Sequence, residues 1–295
     1  MGTMRMRWTW LMIGIAGCAP PPTQQAPKNM VSASIATPVA PATAPATAPA
    51  TAPVAAPKPF VLHLPGVSGT SQVDMSLCEG LSKAGFDGPL QIYDWTCHDP
   101  GIPALHNRAR NEAQAAIVAK LLTRQYRAHP EQPIYLTCHS GGAGPATWAL
   151  ERLPDDVKVT CFVMLAPALS PQYDLSKALS HVSGRAYCFN SPLDDLVLGT
   201  GTMMFGTIDG VRCDAAGRVG FTRPATGDPV QYAKLVHETY QKSWVHYGHI
   251  GGHIGCMGAP FVQAIVAPVM LGHDVVEKVI GPAVAQPLPD VLWPK

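Results

Sequence analysis

The sequence predicts an α/β domain in which helices cover both faces of a mostly parallel sheet. Three observations carry this. From Phe60 onward, short apolar runs alternate with longer helical segments. One of those segments, Ala104 to Ala128, interleaves Ala, Leu, Ile and Val with Arg, Asn, Glu and Gln so that one apolar stripe results. The run Pro133 to Gly144 leads from an apolar strand through a turn of small residues into a helix.

The elements follow in order. Phe60 to Leu64 is a strand, Met75 to Ala84 a helix and Leu90 to Trp95 a second strand; the striped helix at Ala104 to Ala128 comes next. Pro133 to Thr137 is a strand, Gly141 to Leu153 a helix, Val157 to Leu165 a buried strand and Asp174 to His181 a short helix. Arg185 to Phe189 supplies another strand, Lys234 to Thr239 a weaker one interrupted by His237 and Glu238, and Phe261 to Leu271 a helix ended by Gly272. Between Gly199 and Pro229 the text turns to Gly, Asp, Arg and Thr and reads as a loop overhanging a strand end. Strands alternating with crossover helices call for a parallel sheet, and the eight regular units of a (β/α)8 barrel are not found.

Of 295 residues, this domain takes the 236 from Phe60 to Lys295. The rest has another character. Arg5 and Arg7 precede a short apolar run from Trp8 to Ala16, the layout of a secretory signal and too short for a membrane span of about 20 residues. The run ends in Ile15-Ala16-Gly17-Cys18, which resembles the lipobox of bacterial lipoproteins. That resemblance implies a signal peptide at 1–17, lipidation of Cys18 and a membrane anchor in the bacterial cell envelope; Ala19 after the cysteine, where an aspartate would retain the protein, favours the outer membrane. Eleven of the 30 prolines fall between Ala19 and Pro59, with Lys28 and Lys58 as the only charges, and APAT repeats from Ala40 to Thr51. Such a segment lacks the large side chains a core needs, and its prolines favour extended geometry, so it reads as a tether.

A net charge of +1 with no Lys/Arg cluster excludes a nucleic-acid binder built on a basic face. Beyond Cys18 the chain has seven cysteines. Cys138, Cys161 and Cys188 sit in or beside apolar strands and read as small buried residues, whereas Cys78, Cys97, Cys213 and Cys256 are disulfide candidates in an oxidising envelope.

The chemistry centres on Cys138-His139-Ser140-Gly141-Gly142. At a strand-turn-helix corner a serine is held in strained geometry with its hydroxyl presented, and small neighbours let the two elements pass closely. The motif resembles the GxSxG nucleophile elbow of the α/β-hydrolase superfamily, with Cys138 in place of the first glycine. The resemblance covers Phe60 to Met270 and implies Ser140 as nucleophile, followed in chain order by an acid and a histidine. The Gly141 N–H at the start of the following helix is positioned for an oxyanion.

The acid stands in Asn190-Ser191-Pro192-Leu193-Asp194-Asp195, after a strand: Asp194 is the first choice and Asp195 the alternate. For the base, the string Trp244 to Cys256 offers three histidines in a Gly-rich loop ahead of the last helix. His253, nearest that helix, is preferred, with His249 the alternate and His246 behind it. His246, His249, His253 and Cys256 also admit a zinc reading, against which stands the lack of an HExxH arrangement. A second oxyanion donor is expected from the loop after the first strand, Pro65-Gly66-Val67-Ser68-Gly69, at the Val67 N–H, unless Gly66 and Gly69 merely make a turn. That loop lacks the GxGxxG of a dinucleotide site. His139 is expected to pack beside the elbow.

These residues lead to a serine hydrolase acting on a small-molecule or lipid acyl substrate, an ester or related carbonyl, with no metal or organic cofactor. The alternative is a non-catalytic, envelope-anchored binding or structural domain that keeps the scaffold.

Overall fold

Six parallel strands form one sheet in the order β2-β1-β3-β4-β5-β6: β1 (Phe60–Leu64), β2 (Leu90–Ile92), β3 (Ile134–His139), β4 (Cys161–Leu165), β5 (Ala186–Asn190) and β6 (Leu235–Thr239). The computed structural model describes residues 57–271, within the unit Val54–Lys295. The expected signal, Cys18, the tether as far as residue 56 and the stretch 272–295 lie outside the described residues.

Parallel neighbours require crossovers. These are supplied by α1 (Gln72–Lys83), α2 (Ile102–His106) and α3 (Arg108–Ala128), α4 (Ala143–Leu150) and α5 (Ser176–Ser180). Period-2 alternation sends successive side chains to opposite faces. Leu62, Leu64, Leu136, Cys138, Phe162 and Met164 enter one buried layer, filled from the helices by Val118 and Leu122 of α3 and Ala146 and Leu150 of α4. Val61, Tyr135, Val163, Leu165 and Phe189 enter the other, where Leu77 and Leu81 of α1 meet Phe261, Val262 and Val266. Helices therefore cover both faces, and each fully buried large apolar side chain contributes roughly 1.5–3 kcal/mol.

Several elements depart from the expected bounds, each for a local polar reason. Helix α1 starts at Gln72 rather than Met75, because Ser71 and Asp74 form a capping box with the Ser71 N–H donating to Asp74 Oδ2 at 2.8 Å. The second strand stops at Ile92 instead of Trp95. Asp94 accepts from the N–H groups of Thr70 (3.0 Å) and Thr96 (2.9 Å), which folds the chain into a turn. The single helix expected over Ala104 to Ala128 is two, broken at Asn107, whose Oδ1 caps α3 by accepting from the Arg110 N–H at 3.1 Å.

Strand β6 forms, and the His237 that interrupts its apolar pattern accepts a 2.9 Å hydrogen bond from the Phe221 N–H. The stretch before it holds only short helical pieces, a wide turn at Leu196–Gly201 running into α6 (Thr202–Phe205), then α7 (Ala216–Val219) and α8 (Pro229–Tyr232), and is otherwise irregular. Its Ile208 packs over the first turn of α4, where a Cβ on Gly144 would lie 2.8 Å from Ile208 Cγ1. The last helical stretch runs from α9 (Ala259–Phe261) through wide turns at Val262–Val266 into α10 (Ala267–Met270). No helix among the described residues is long and apolar enough to cross a membrane.

The seven described cysteines are free thiols, so the four disulfide candidates do not pair. Cys256, one of the four, is buried like Cys138, Cys161 and Cys188.

The chain leaves β1 for β2 on one side and returns to β3 on the other. The carboxyl ends of β1 and β3 are therefore the topological switch point of the sheet, the position where open α/β sheets bind ligands.

Candidate active site

Ser140 stands at that switch point, immediately after β3, with a φ of +52°. A left-handed conformation in a non-glycine residue costs about 1–3 kcal/mol and persists where the surroundings enforce it. Here they do so through close approach. A Cβ on Gly142 would lie 2.3 Å from the Pro65 carbonyl oxygen and 2.6 Å from that of Leu64, and one on Gly141 would lie 2.4 Å from Val67 Cγ1. The loop after β1 thus presses against the corner, and only residues without a side chain fit at 141 and 142. Behind the serine, its carbonyl accepts from the Ala168 N–H at 3.0 Å. Cys138 occupies the position of the resembled motif's first glycine with its side chain fully buried and its Sγ 3.7 Å from the Val163 carbonyl oxygen, where a small side chain fits the core layer.

The loop after β1 is itself braced. Trp95 Nε1 donates to the Pro65 carbonyl at 2.7 Å, the Gly101 N–H to the Val67 carbonyl at 2.7 Å and the Gly69 N–H to the Gly66 carbonyl at 3.1 Å. The glycines make both a turn and a close approach, since a Cβ on Gly66 would sit 3.4 Å from Ser140 Cβ. Val67 therefore packs against Gly141 beside Ser140, and the N–H groups of a first helical turn such as Gly141 have no acceptor within the helix.

Asp194 and His253 come together. His253 Nδ1–H donates to Asp194 Oδ2 at 2.6 Å, with the aspartate buried and the histidine only slightly exposed. This bond places the proton on Nδ1 and leaves Nε2 as the nitrogen with the free lone pair. The loop carrying His253 is fixed to the loop carrying Asp194 by Ser191 Oγ donating to the Gly251 carbonyl at 2.6 Å and by Leu193 packed against Gly251, which has a φ of +91°.

The alternates lie elsewhere. Asp195 points outward into an ion pair with Arg218, whose Nε is 2.9 Å from Asp195 Oδ1. His249 is buried among Trp244, Tyr240 and Phe261, with ring centroids 5.5, 5.1 and 4.8 Å away, and its Nδ1 accepts from the Gly251 N–H at 3.2 Å. Burial pushes its pKa down to about 4, so it is a neutral packing group. The zinc reading of the same string is not assembled: His246 is exposed, His249 is caged by aromatics, and no group of three or more metal-ligating side chains gathers among the described residues.

His139 packs beside the elbow, as expected, and reaches further. Its ring lies 4.8 Å from that of His253, and its Nε2–H donates to the His253 carbonyl oxygen at 3.2 Å. Burial, then the neighbouring His253, bring its pKa down to about 3. A polar group that the sequence did not announce lies deeper on the same face of β1 and β3. His63, paired in register with Thr137, has Nδ1 2.9 Å from Thr137 Oγ1 and Nε2 3.0 Å from Asp74 Oδ1. All three are buried. Burial alone would raise the Asp74 pKa, but hydrogen bonds from His63 and Ser71 outweigh it and hold it below the usual carboxylate value.

No family model and no curated protein matches the chain. Among solved structures it is similar to esterase PE8, at 16% identity over 67% of this chain and 86% of that one with a TM-score of 0.37. It is also similar to a cutinase-like protein from Cryptococcus sp., at 14% identity over 74% and 96% of the two chains with a TM-score of 0.41. A third likeness is to TT1662 from Thermus thermophilus, at 14% identity over 76% and 91% with a TM-score of 0.44.

Proposed function

We propose that this protein is a serine hydrolase that transfers the acyl group of an ester or related carbonyl compound to water through an acyl-enzyme. The observation that carries the reading is the 2.6 Å bond from His253 to the buried Asp194, which follows β5 at the same carboxyl end of the sheet where Ser140 follows β3 and is held at positive φ. In the proposed reaction Ser140 Oγ attacks the carbonyl carbon while its proton passes to His253 Nε2. Asp194 keeps the imidazole in the required tautomer and stabilises the imidazolium. The N–H groups of Gly141 and Val67 receive the charge that develops on the carbonyl oxygen. Collapse expels the alcohol, which takes the proton from Nε2; water then attacks the acyl carbon as it gives a proton to the same nitrogen, and the second collapse returns that proton to Ser140 Oγ and releases the acid.

A fluorophosphonate probe should label Ser140, and Ser140→Ala should abolish labelling and lower turnover of short acyl esters by at least about 10⁴-fold while thermal unfolding is unchanged. Folded protein that stays unlabelled would overturn the reading in favour of a binding domain.

The same proposal places the enzyme on a membrane. Cys18, at the end of the signal-like segment, is the lipidated residue, and the Pro/Ala/Thr tract is the tether that holds the domain in the cell envelope. Metabolic labelling with palmitate should mark the parent chain and not Cys18→Ala.

A further inference from the structure

The loop that supplies His253 is poorly constrained by its own sequence. Gly251, Gly252 and Gly255 surround the histidine, and each gives the chain backbone freedom that must be removed if the imidazole is to stay in place. Asp194 fixes the ring through Nδ1, but a ring tethered at one nitrogen still swings with its backbone. Ser191 and Leu193 hold the loop two residues earlier, at Gly251, and the carbonyl of His253 itself is held by His139, whose Nε2–H donates to it at 3.2 Å across 114 residues of sequence, with Cys256 Sγ a weaker, local donor to the same oxygen at 3.6 Å. His139 is itself rigid: it is the last residue of β3, buried, in register with Leu165 of β4, and backed by Gly66, where a Cβ would approach His139 Nδ1 to 3.3 Å.

We propose that His139 is a positioning residue, a clamp that fixes the base histidine's loop to the strand end from which Ser140 projects. Because residues 139 and 140 are consecutive, the clamp references the base directly to the nucleophile, and a shift of β3 carries both. A buried, neutral imidazole suits the task. It offers the Nε2–H without adding a positive charge beside the imidazolium that His253 becomes during turnover. The inference rests on the hydrolase reading for its kinetic consequence and on geometry alone for the clamp.

The test compares His139→Phe, which keeps a ring without the donor, with His139→Gln, which keeps an N–H donor. In the full chain His139→Phe should lower kcat for a short acyl ester 10- to 100-fold with KM within about two-fold and slow fluorophosphonate labelling of Ser140 in proportion, and His139→Gln should recover most of the loss. His139→Leu replaces the Phe variant if the latter does not fold. Equal activity in the Phe and Gln variants, high or low, would overturn the clamp and leave only packing. Should the parent chain neither turn over esters nor label, the hydrolase reading fails, and the clamp is still decided by NMR. The downfield proton of the His253–Asp194 hydrogen bond should be sharp in parent and Gln variant and lost or broadened in the Phe variant; the same signal in all three overturns it.

Discussion

Asp194 accepts a 2.6 Å hydrogen bond from His253, 59 residues later in the chain, while the adjacent Asp195 turns outward to Arg218. Two neighbouring carboxylates thus have separate tasks, set by which face of one turn each occupies. Asp194→Asn leaves a side chain that can donate to His253 and favours the wrong tautomer, so kcat for an acyl ester should fall by roughly 10³- to 10⁴-fold. Asp195→Asn removes only an exposed partner of Arg218, and activity should stay within about two-fold of the parent. Steady-state kinetics on the two variants separates the roles; equal losses would contradict the assignment.

Gly142 is the tightest point of the elbow. With the Pro65 and Leu64 carbonyl oxygens 2.3 and 2.6 Å from where a Cβ would sit, Gly142→Ala must push backbone against backbone. It should destabilise the fold by about 3 kcal/mol and impair Ser140 labelling. Gly252, in the histidine loop, has nothing within 4 Å of the same atom. Gly252→Ala should be neutral within about 0.5 kcal/mol. Urea denaturation of the two variants checks the contrast.

The alternation of strands and helices was readable because parallel strands buried on both faces, such as Cys161–Leu165, leave continuous apolar runs that helical stripes cannot imitate. The elbow was readable for a related reason: close approach of backbones leaves glycines in the text. Where side chains capture the backbone, the text misled. Asp94 ends β2 early and Asn107 splits a long helix, each through bonds to N–H groups that periodicity does not see. Contacts between distant residues left less trace still. Nothing in the neighbourhood of His63 marks it as the partner of Thr137, 74 residues away, and His139 reads as a packing residue until its bond to the His253 carbonyl is seen. The sequence favours His253 over His249 only by its nearness to the last helix; that Asp194 bonds His253 while His249 packs among Trp244, Tyr240 and Phe261 is a property of the folded loops.

The same burial makes stability depend on pH. His249 and His139 have folded pKa values of about 4 and about 3, below the 6.5 of an unperturbed histidine. The unfolded chain therefore binds protons that the folded chain refuses. Their contribution is fully present above about pH 6.5 and is lost as pH falls towards 4 and 3, with a slope of about 1.4 kcal/mol per pH unit for each histidine. Between pH 5 and 6.5 most carboxylates stay ionised, so urea midpoints should fall steadily as pH is lowered through that window. In His249→Phe the decline should be shallower by one proton, and parallel slopes would show that His249 titrates normally in the fold.

Asp74 joins two elements that the sheet alone would leave independent. One oxygen meets His63 Nε2 at 3.0 Å on β1; the other accepts the N–H and hydroxyl of Ser71 at 2.8 and 2.7 Å where α1 begins. Asp74→Ala removes the cap and leaves the buried His63 Nε2 without its acceptor, Nδ1 keeping Thr137, so the cost should be about 3 kcal/mol, at the level expected when one member of a buried pair is lost. Ser71→Ala removes one donor at a helix start and should cost about 1 kcal/mol. Because both changes act through the same carboxylate, the double variant should be less destabilised than the sum of the two, with an interaction of at least about 0.5 kcal/mol. Denaturant unfolding of the four proteins in this cycle tests the coupling, and strict additivity would show that the cap and the His63 contact act separately.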